Sequence, residues 1–360
     1  VLAQAEGDLR ALWTIPPAPG QVPKSRACTM NLVVVVATAA LERWVPVVDD
    51  VILAVPARAV VVGLDPDGED AIDASVSAVC APADGTVVCS ERVTLRLGGA
   101  LCGRVESCAD TLCVSDVPTT LVWPGRVRVE DPAFAPLARS SHRVVLEASG
   151  SLASLAHVVQ WAHARPAGER PGIAELAWTR LAPWQELCAR MFDDPRARDL
   201  ARAVTRVRVV QALAPGMALG PEGALMLGWL ATRLGWKSSP LAGKLRLLRA
   251  DGVTIQAQLL ADPGSRAPKG ALLAVELEAS RGTDTLRGEV ARASGAPATG
   301  NWRLEVTSSG EARRVEQHVR FDDDPAWTLE RTLHRPVRDE ALAESVAWAD
   351  ELGADELACT

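Results

Sequence analysis

The chain predicts an α/β N-terminal domain, a mixed sheet with flanking helices, followed by a β-rich α+β C-terminal domain. Three observations carry that expectation. A valine-rich run, Leu32–Ala37, recurs as Ala59–Leu64 with a helical pattern between them, which is the order of a βαβ unit with a right-handed crossover. Tryptophan-bearing helical segments then continue as far as Trp236. Beyond it the chain breaks into short, mostly alternating runs separated by Gly, Asp, Ser and Pro, the pattern of an antiparallel meander. The expected divisions are 1–24, a helix and Pro-rich linker; 25–236, the α/β domain with a Trp-rich helical segment; and 237–360, the antiparallel β-rich domain with a C-terminal helix.

Taken in order, residues 1–13 read as a short helix and Pro16-Pro17-Ala18-Pro19-Gly20 as an extended linker. Arg26 leads into Leu32–Ala37, whose length, valine richness and lack of alternation suit an interior strand. A helix is expected from about Ala40 to Val55, then the strand Ala59–Leu64 and the turn Asp65-Pro66-Asp67-Gly68. Ile72–Cys80 and Thr86–Leu97 read as paired strands. With Asp84-Gly85 as a two-residue turn, Cys80 faces Cys89 in a non-hydrogen-bonded pair, where side chains approach most closely. A four-residue loop, Pro82–Gly85, would instead set Cys80 against Val87. Cys80 and Cys89 are thus a possible redox pair, with two reduced thiols the expectation in a cytosolic protein. Ala100–Cys113 reads as a helix, Thr119–Trp123 and Arg143–Leu146 as strands, and Leu152–Ala162 as a helix capped by Ser151. Pro195–Ala203 and Pro221–Gly235 follow as helices, the second apolar almost all round and ended by Gly235. The meander comprises Leu245–Arg249, Thr254–Leu260, Ala271–Glu278, Thr285–Ala291, Trp302–Thr307 and Val315–Phe321, and a helix over Pro336–Leu352 closes it.

Bulk properties narrow the function classes. With 360 residues, 48% hydrophobic and 23% charged, the chain has the composition of a soluble globular protein and the length of two domains. A net charge of −7 without a basic stripe argues against nucleic acid; Arg202, Arg206 and Arg208 read as a solvated strand or helix face. The longest apolar run, Leu32–Leu41, falls short of a bilayer span of roughly 20 residues. The start VLAQAEGDLRALW lacks the basic and apolar regions of a secretory signal, so a cytoplasmic protein with no membrane partner is expected. The eight cysteines then read as buried thiols. Cys102, Cys108 and Cys113 cluster, but at spacings that fit no common zinc site.

The chain's organising stretch is Ala174–Phe192, AELAWTRLAPWQELCARMF. Pro183 suits a first helical position, and Trp184, Leu187, Cys188 and Met191 fall on one helical face. Leu176 and Trp178 alternate with Ala177 and Thr179, so the lead-in is expected to be extended. One reading is a core helix filled with tryptophan. The other is a recognition surface, since Trp and Arg dominate binding energy at interfaces.

This stretch resembles the central signature of the OpcA family, the assembly proteins of glucose-6-phosphate dehydrogenase. RACTMNLVVV (26–35), DVPTTLVWPG (116–125) and GWLATRLGW (228–236) are similar to further runs of that family and stand in family order. Val122 and Gln185 depart from it, standing where the family pattern has tryptophan and arginine. The resemblance implies a non-catalytic partner that binds glucose-6-phosphate dehydrogenase, promotes its active assembly as an allosteric activator, and supports the oxidative pentose phosphate pathway. Trp178, Arg180 and Trp184 are its candidate contact or contact-supporting residues, with Trp123 and Trp229 supporting.

No catalytic residue is proposed, because no nucleotide, hydrolase or zinc-protease motif appears. There is no G-x-G-x-x-G after a strand, no P-loop, no G-x-S-x-G and no H-E-x-x-H. Asp322-Asp323-Asp324 before Pro325 reads as a loop and helix cap rather than a metal site, and no cofactor or metal is expected. Arg26 and Asn31, at a strand entrance, could contact a phosphate or satisfy loop backbone groups. The alternative function is a sugar-phosphate- or nucleotide-binding enzyme or sensor that uses the strand ends of the α/β domain, with Arg26, Asn31 and Arg180 as phosphate ligands.

Overall fold

The structure is a computed structural model that describes residues 1–14, 24–83, 86–147, 151–241, 244–353 and 357–360. The chain runs α1 (Leu2–Thr14), β1 (Lys24–Arg26), β2 (Met30–Ala37), α2 (Leu41–Ala54), β3 (Ala57–Asp65), β4 (Ile72–Ala83), β5 (Thr86–Gly98) and α3 (Val105–Leu112). It continues β6 (Thr119–Trp123), α4 (Phe134–Ser140), β7 (Arg143–Leu146), α5 (Leu152–His163), β8 (Gly172–Glu175), α6 (Leu176–Arg180), α7 (Ala182–Arg190) and α8 (Pro195–Arg198). Then come β9 (Val204–Gln211), α9 (Pro221–Leu234), β10 (Lys237–Leu241), β11 (Lys244–Leu248), β12 (Thr254–Ala261), β13 (Leu272–Arg281) and β14 (Asp284–Ala293). β15 (Ala296–Ser308), β16 (Glu311–Arg320), α10 (Pro325–His334) and α11 (Glu340–Glu351) complete it.

Two compact units result. The first comprises Val1–Glu147, Gln160–Leu176 and Asp324–Arg338. Its sheet has the order β1-β5-β3-β2-β6-β7-β8, with β4 also paired to β5. Every pairing is parallel except β4–β5. The chain steps outward from β2 through β3 to β5, then returns to β2's other side and steps out through β6, β7 and β8. That reversal makes a topological switch point between β2 and β6. β2 and β3 are buried almost end to end, as strands covered on both faces must be. α2 contributes Leu41, Trp44, Val48, Val51 and Ile52 to this core, and Leu329 and Leu333 of α10 join it. Arg143 holds α10 in place. Its guanidinium donates to the carbonyls of Thr332 (3.0 Å), Leu333 (3.0 Å) and Arg335 (2.5 Å), groups that a helix end leaves without partners. Burial pushes the Arg143 pKa down from its ordinary value.

The second unit comprises Ala148–Val159, Ala177–Asp323 and Asp339–Thr360. Its sheet has eight strands in the order β10-β11-β12-β9-β13-β14-β15-β16. β9 pairs parallel to β12 and antiparallel to β13, and the remaining pairs are antiparallel. Val207, Val209, Val275, Leu277, Leu286, Val290, Trp302, Leu304 and Val306 form the buried face, against which α7 and α9 pack. α9 is buried over nearly its whole length and lies along α11. Gly235 ends it in a left-handed conformation, φ 69°, as a C-cap glycine should.

The two sheets and their order along the chain match the expected fold class. Several elements differ from expectation. β9, VTRVRVVQ, is a strand that places Arg206 and Arg208 on a sheet face, and it makes the second sheet mixed rather than a pure meander. Because β9 belongs to that sheet, the compact units part at Leu176/Ala177, whereas the division expected at 236/237 falls inside the second unit. The lead-in Leu176–Arg180 is helical rather than extended; Leu176, Ala177, Trp178 and Thr179 are all buried, so the alternation in sequence does not correspond to alternating faces. The closing helix is α11, which starts at Glu340 with Asp339 as its N-cap, and α10, capped by Asp324, is a further helix ahead of it. α4 and β10 are additions to the expected elements. The linker Pro16–Gly20 and the turn residues Asp84-Gly85 lie outside the described residues. Among the described residues no helix is long and apolar enough to cross a membrane.

Gly228 sits where α9 meets α11, and a Cβ there would lie 2.4 Å from the Ser345 carbonyl oxygen. Helix propensity alone would make Gly228→Ala stabilising by about 1 kcal/mol. The backbone clash is expected to reverse that sign and destabilise the protein by about 1–3 kcal/mol, read as a lower urea midpoint.

Candidate functional site

From Ala177 onward the Trp-rich stretch is the hub of the second unit. The Trp178 indole N–H donates to Asp339 Oδ2 at 2.8 Å, while Asp339 Oδ1 accepts from Leu342 N at 3.0 Å. Trp178 therefore fixes the cap of α11. Arg180 Nε donates to Glu222 Oε1 at 2.8 Å, and Glu222 Oε2 accepts from Leu272 N at 2.8 Å. One carboxylate thereby ties α6 and α9 to β13. Trp184 has no exposed surface and stacks on Phe321 at 4.4 Å. The Arg292 guanidinium lies 4.7 Å from the Phe321 ring and 5.7 Å from the Trp184 ring. It forms a bidentate pair with Asp323, 2.7 and 2.9 Å, and donates from Nε to the Leu272 carbonyl at 2.8 Å. Sequence reasoning missed Arg292, Phe321 and Glu222. Only their spatial convergence reveals them.

The contact candidates therefore divide by exposure. Trp178 and Trp184 are buried, so they can serve a partner surface by support and not by touching it. Arg180 keeps 18% of its side chain exposed, and Trp229 is half-buried. Trp123, in the first unit, is buried edge-on against Phe134 at 5.3 Å.

The phosphate candidates lie at the amino end of the first sheet, away from the carboxyl ends of its parallel strands. Asn31 is buried, and both ends of its amide are used. Nδ2 donates to the Val114 carbonyl (2.9 Å) and Thr119 Oγ1 (3.2 Å), and Oδ1 accepts from Val114 N (2.8 Å). Arg26 pairs with buried Glu91 at 3.0 Å. Glu91 also accepts from Arg58 Nε at 2.6 Å and from the Trp13 indole. Both candidates are engaged within the chain, Arg26 by β5 and Asn31 by the segment from Val114 to the start of β6.

Cys80 and Cys89 pair directly across β4 and β5, with Ala83 opposite Thr86, so Cys80 faces Cys89 rather than Val87. They are joined as a disulfide, in place of the two reduced thiols expected. The register brings their Cα atoms to 4.0 Å, close enough for the two sulfurs to meet. Cys102, Cys108 and Cys113 stand apart from any disulfide. Burial, aided by the Asp110 carboxylate, pushes the Cys113 thiol up to about 12, and burial likewise raises Cys188. Of the aspartate run, Asp323 pairs with Arg292 and Asp324 caps α10.

Comparison with known proteins agrees with these motifs. Residues 171–346 match the OpcA family described as the C-terminal domain of the glucose-6-phosphate dehydrogenase subunit, and residues 48–163 match its N-terminal domain. The chain belongs to the OpcA family. It is 25% identical over 307 residues to a protein named putative OxPP cycle protein OpcA from Synechocystis, covering 80% of this chain and 62% of that one. A Nostoc punctiforme protein of the same name is 30% identical over 197 residues, covering 53% of this chain and 40% of its own. The chain thus spans less than two thirds of these relatives.

Among solved structures, it shares the fold of the 3-ketoreductase KijD10 from Actinomadura kijaniata, in complex with TDP-benzene and NADP, at TM-score 0.51 and 12% identity, covering 91% of this chain and 98% of that one. Glucose-6-phosphate 1-dehydrogenase from Mycobacterium avium matches at TM-score 0.51 and 12% identity, covering 91% and 92%.

That fold binds dinucleotides at the switch point, where a glycine turn lets backbone N–H groups reach the pyrophosphate. In this OpcA protein the turn after β2 is Ala37-Thr38-Ala39-Ala40, wound as a 3₁₀ turn into α2. Each position carries a Cβ. Gly63, in neighbouring β3, admits a side chain rather than a ligand: a Cβ there would lie 2.4 Å from Leu41 Cδ1. Thr38 Oγ1 is buried without a partner among the described residues, but one hydroxyl does not replace a cradle of amides. These residues do not fit NADP.

The Cys80–Cys89 bond closes a loop with a sequence separation of 9, which corresponds to about 2.5 kcal/mol of stabilisation in the loop-entropy account. Dithiothreitol is expected to lower the urea midpoint accordingly. An unchanged midpoint, together with eight titratable thiols in untreated protein, would contradict the bond.

Proposed function

We propose that this protein is a non-catalytic assembly factor and allosteric activator that binds glucose-6-phosphate dehydrogenase and supports the oxidative pentose phosphate pathway. The observation that carries this reading is the pair of family matches over 48–163 and 171–346, both described as parts of a glucose-6-phosphate dehydrogenase subunit. The turn without glycine supports the non-catalytic part, because a dehydrogenase fold with no pyrophosphate cradle lacks the means to hold its hydride carrier. The engagement of Asn31 and Arg26 within the chain weighs against the phosphate-sensor alternative.

Activation requires tighter binding to the dehydrogenase's active state than to its inactive one. By reciprocity, a substrate that favours the active state tightens the binding of this protein. The test is dehydrogenase activity against glucose-6-phosphate, with and without this protein, beside co-elution of the two. Co-elution with a higher rate, or saturation at lower substrate, is the expected outcome. No complex and no change, with both proteins folded, would refute the reading.

Arg180 and Trp229 are the proposed contact residues, with Trp123, Trp178 and Trp184 as supports. Arg180→Ala strips the partner from Glu222, which is 6% exposed, and is expected to destabilise the protein by about 3 kcal/mol. The double variant Arg180→Met with Glu222→Gln removes both charges and is expected to recover part of that loss. If the double variant folds yet fails to activate, Arg180 acts at the interface. If it activates like the unaltered protein, its role is confined to the fold.

A further inference from the structure

The second sheet has one apolar face, packed by helices, and one face turned outward. On that outward face, β14, β15 and β16 carry Arg287 and Glu289, Arg303 and Glu305, and Arg314 and Glu316. Register sets them in two rows. Arg287, Glu305 and Arg314 lie side by side, and Glu289, Arg303 and Glu316 form the next row. Directly paired residues point to the same side of a sheet, so the six side chains form a checkerboard in which sign alternates along and across the strands. Ion pairs within it include Arg303–Glu289, Arg303–Glu316 and Arg314–Glu305, each at 3.0 Å. Exposure remains high, at 69% for Arg287, 52% for Arg303 and 79% for Arg314.

This array has a specific symmetry. Consider a two-fold axis that lies in the plane of contact, perpendicular to the strands and between the two rows. A second copy brought face to face by that axis sets each arginine over the glutamate two places along the same strand: Arg287 over Glu289, Arg303 over Glu305, Arg314 over Glu316. All three strands are complementary at once, which is what an isologous contact requires of a patch. A partner surface of single sign would be repelled by half of the array. The patch is also neutral within a chain of net charge −7, so it is a place where two copies can approach without mutual repulsion.

We infer that the outward face of β14–β16 is a contact site for a second copy of this chain. The contact is weak. β9 and β13 break the pattern, because Arg206 lies beside Glu278 and Arg208 beside Glu276, and the same axis would oppose like charges there. Sheet twist of roughly 20–25° per strand carries those strands away from the plane. Three strands cover on the order of 350 Å² per copy, below the ~800 Å² per partner of a standard stable interface. The expected species is a concentration-dependent, salt-labile dimer, independent of dehydrogenase binding.

Sedimentation velocity tests this on the full chain at concentrations up to about 300 µM, since contacts of this size are populated only at high concentration. A dimer at low ionic strength that dissociates in roughly 1 M salt, where screening reaches about 3 Å, is the expected result. A monomer throughout at low salt overturns the proposal. Two complementary variants locate the contact: Arg287→Glu/Arg303→Glu/Arg314→Glu, and Glu289→Arg/Glu305→Arg/Glu316→Arg. Each alone is expected to be monomeric, and an equimolar mixture is expected to form a heterodimer. If either alone dimerises like the unaltered chain, the contact lies elsewhere, the exposed edge of β16 included, and the proposal fails. Should the triple variants misfold, Arg303→Gln serves instead. It removes two cross-copy pairs per dimer and is expected to weaken association roughly three- to tenfold, whereas unchanged association would overturn the assignment.

Discussion

The second unit depends on how it desolvates one cation. The Arg292 side chain is 2% exposed, and a guanidinium cannot be moved from water at that depth unless its donors and charge are met elsewhere. Asp323 meets the charge in bidentate form, the Leu272 carbonyl takes Nε, and the stacked Phe321 and Trp184 rings lie 4.7 and 5.7 Å away. Those partners come from α7, β13 and the strand end after β16. Satisfying one charge therefore fixes the position of the Trp-rich helix against the sheet. Glu222 performs the converse service nearby, a buried anion met by Arg180 and a β13 amide. These pairs specify an arrangement more than they stabilise it, because apolar residues of equal volume would be buried at less cost.

The first unit shows that the architecture of a sheet and the residues at its switch point are separate matters. Its strands have the order and the switch point of a dinucleotide-binding sheet, and β2 and β3 are as buried as such a sheet demands. The residues after β2 carry no glycine. With alanine at 37, 39 and 40 the 3₁₀ turn enters α2 directly. Those side chains deny the close backbone approach that a pyrophosphate needs. Fold and cofactor are thus separable here by a handful of side chains, and a likeness to dehydrogenases establishes architecture without activity.

How much was legible in the sequence follows from which interactions are local. The valine runs, the Cys80–Cys89 register and the Gly235 cap depend on neighbours in sequence or across one turn, and each was readable. β9 was not, because its alternating valines and arginines suit a solvated helix or strand equally until β12 and β13 are known to flank it. Its place in the second sheet puts residues on both sides of the expected division at 236/237 in one unit. The extended lead-in at Leu176–Arg180 failed for a related reason: five residues are too few for a period of two to be told from one of 3.6. The site fared similarly. Tryptophan and arginine marked the right stretch, but nothing in their spacing could name Glu222 or Phe321 as partners.

The burial of Trp178 and Trp184 bears on how a partner could read this stretch. A side chain that already has no exposed surface gains no further desolvation on association, so its binding contribution is confined to the shape it imposes on residues that are exposed. Trp178 holds the cap of α11 through Asp339, and Trp184 stacks on Phe321 just after β16. Loss of either would loosen the surface and the fold together, and a binding defect in such a variant would say little about contact. Arg180 and Trp229 differ, because each retains surface to lose. An energetic map of a partner interface must therefore be drawn from half-exposed residues, with the buried tryptophans treated as the frame that keeps those residues in place.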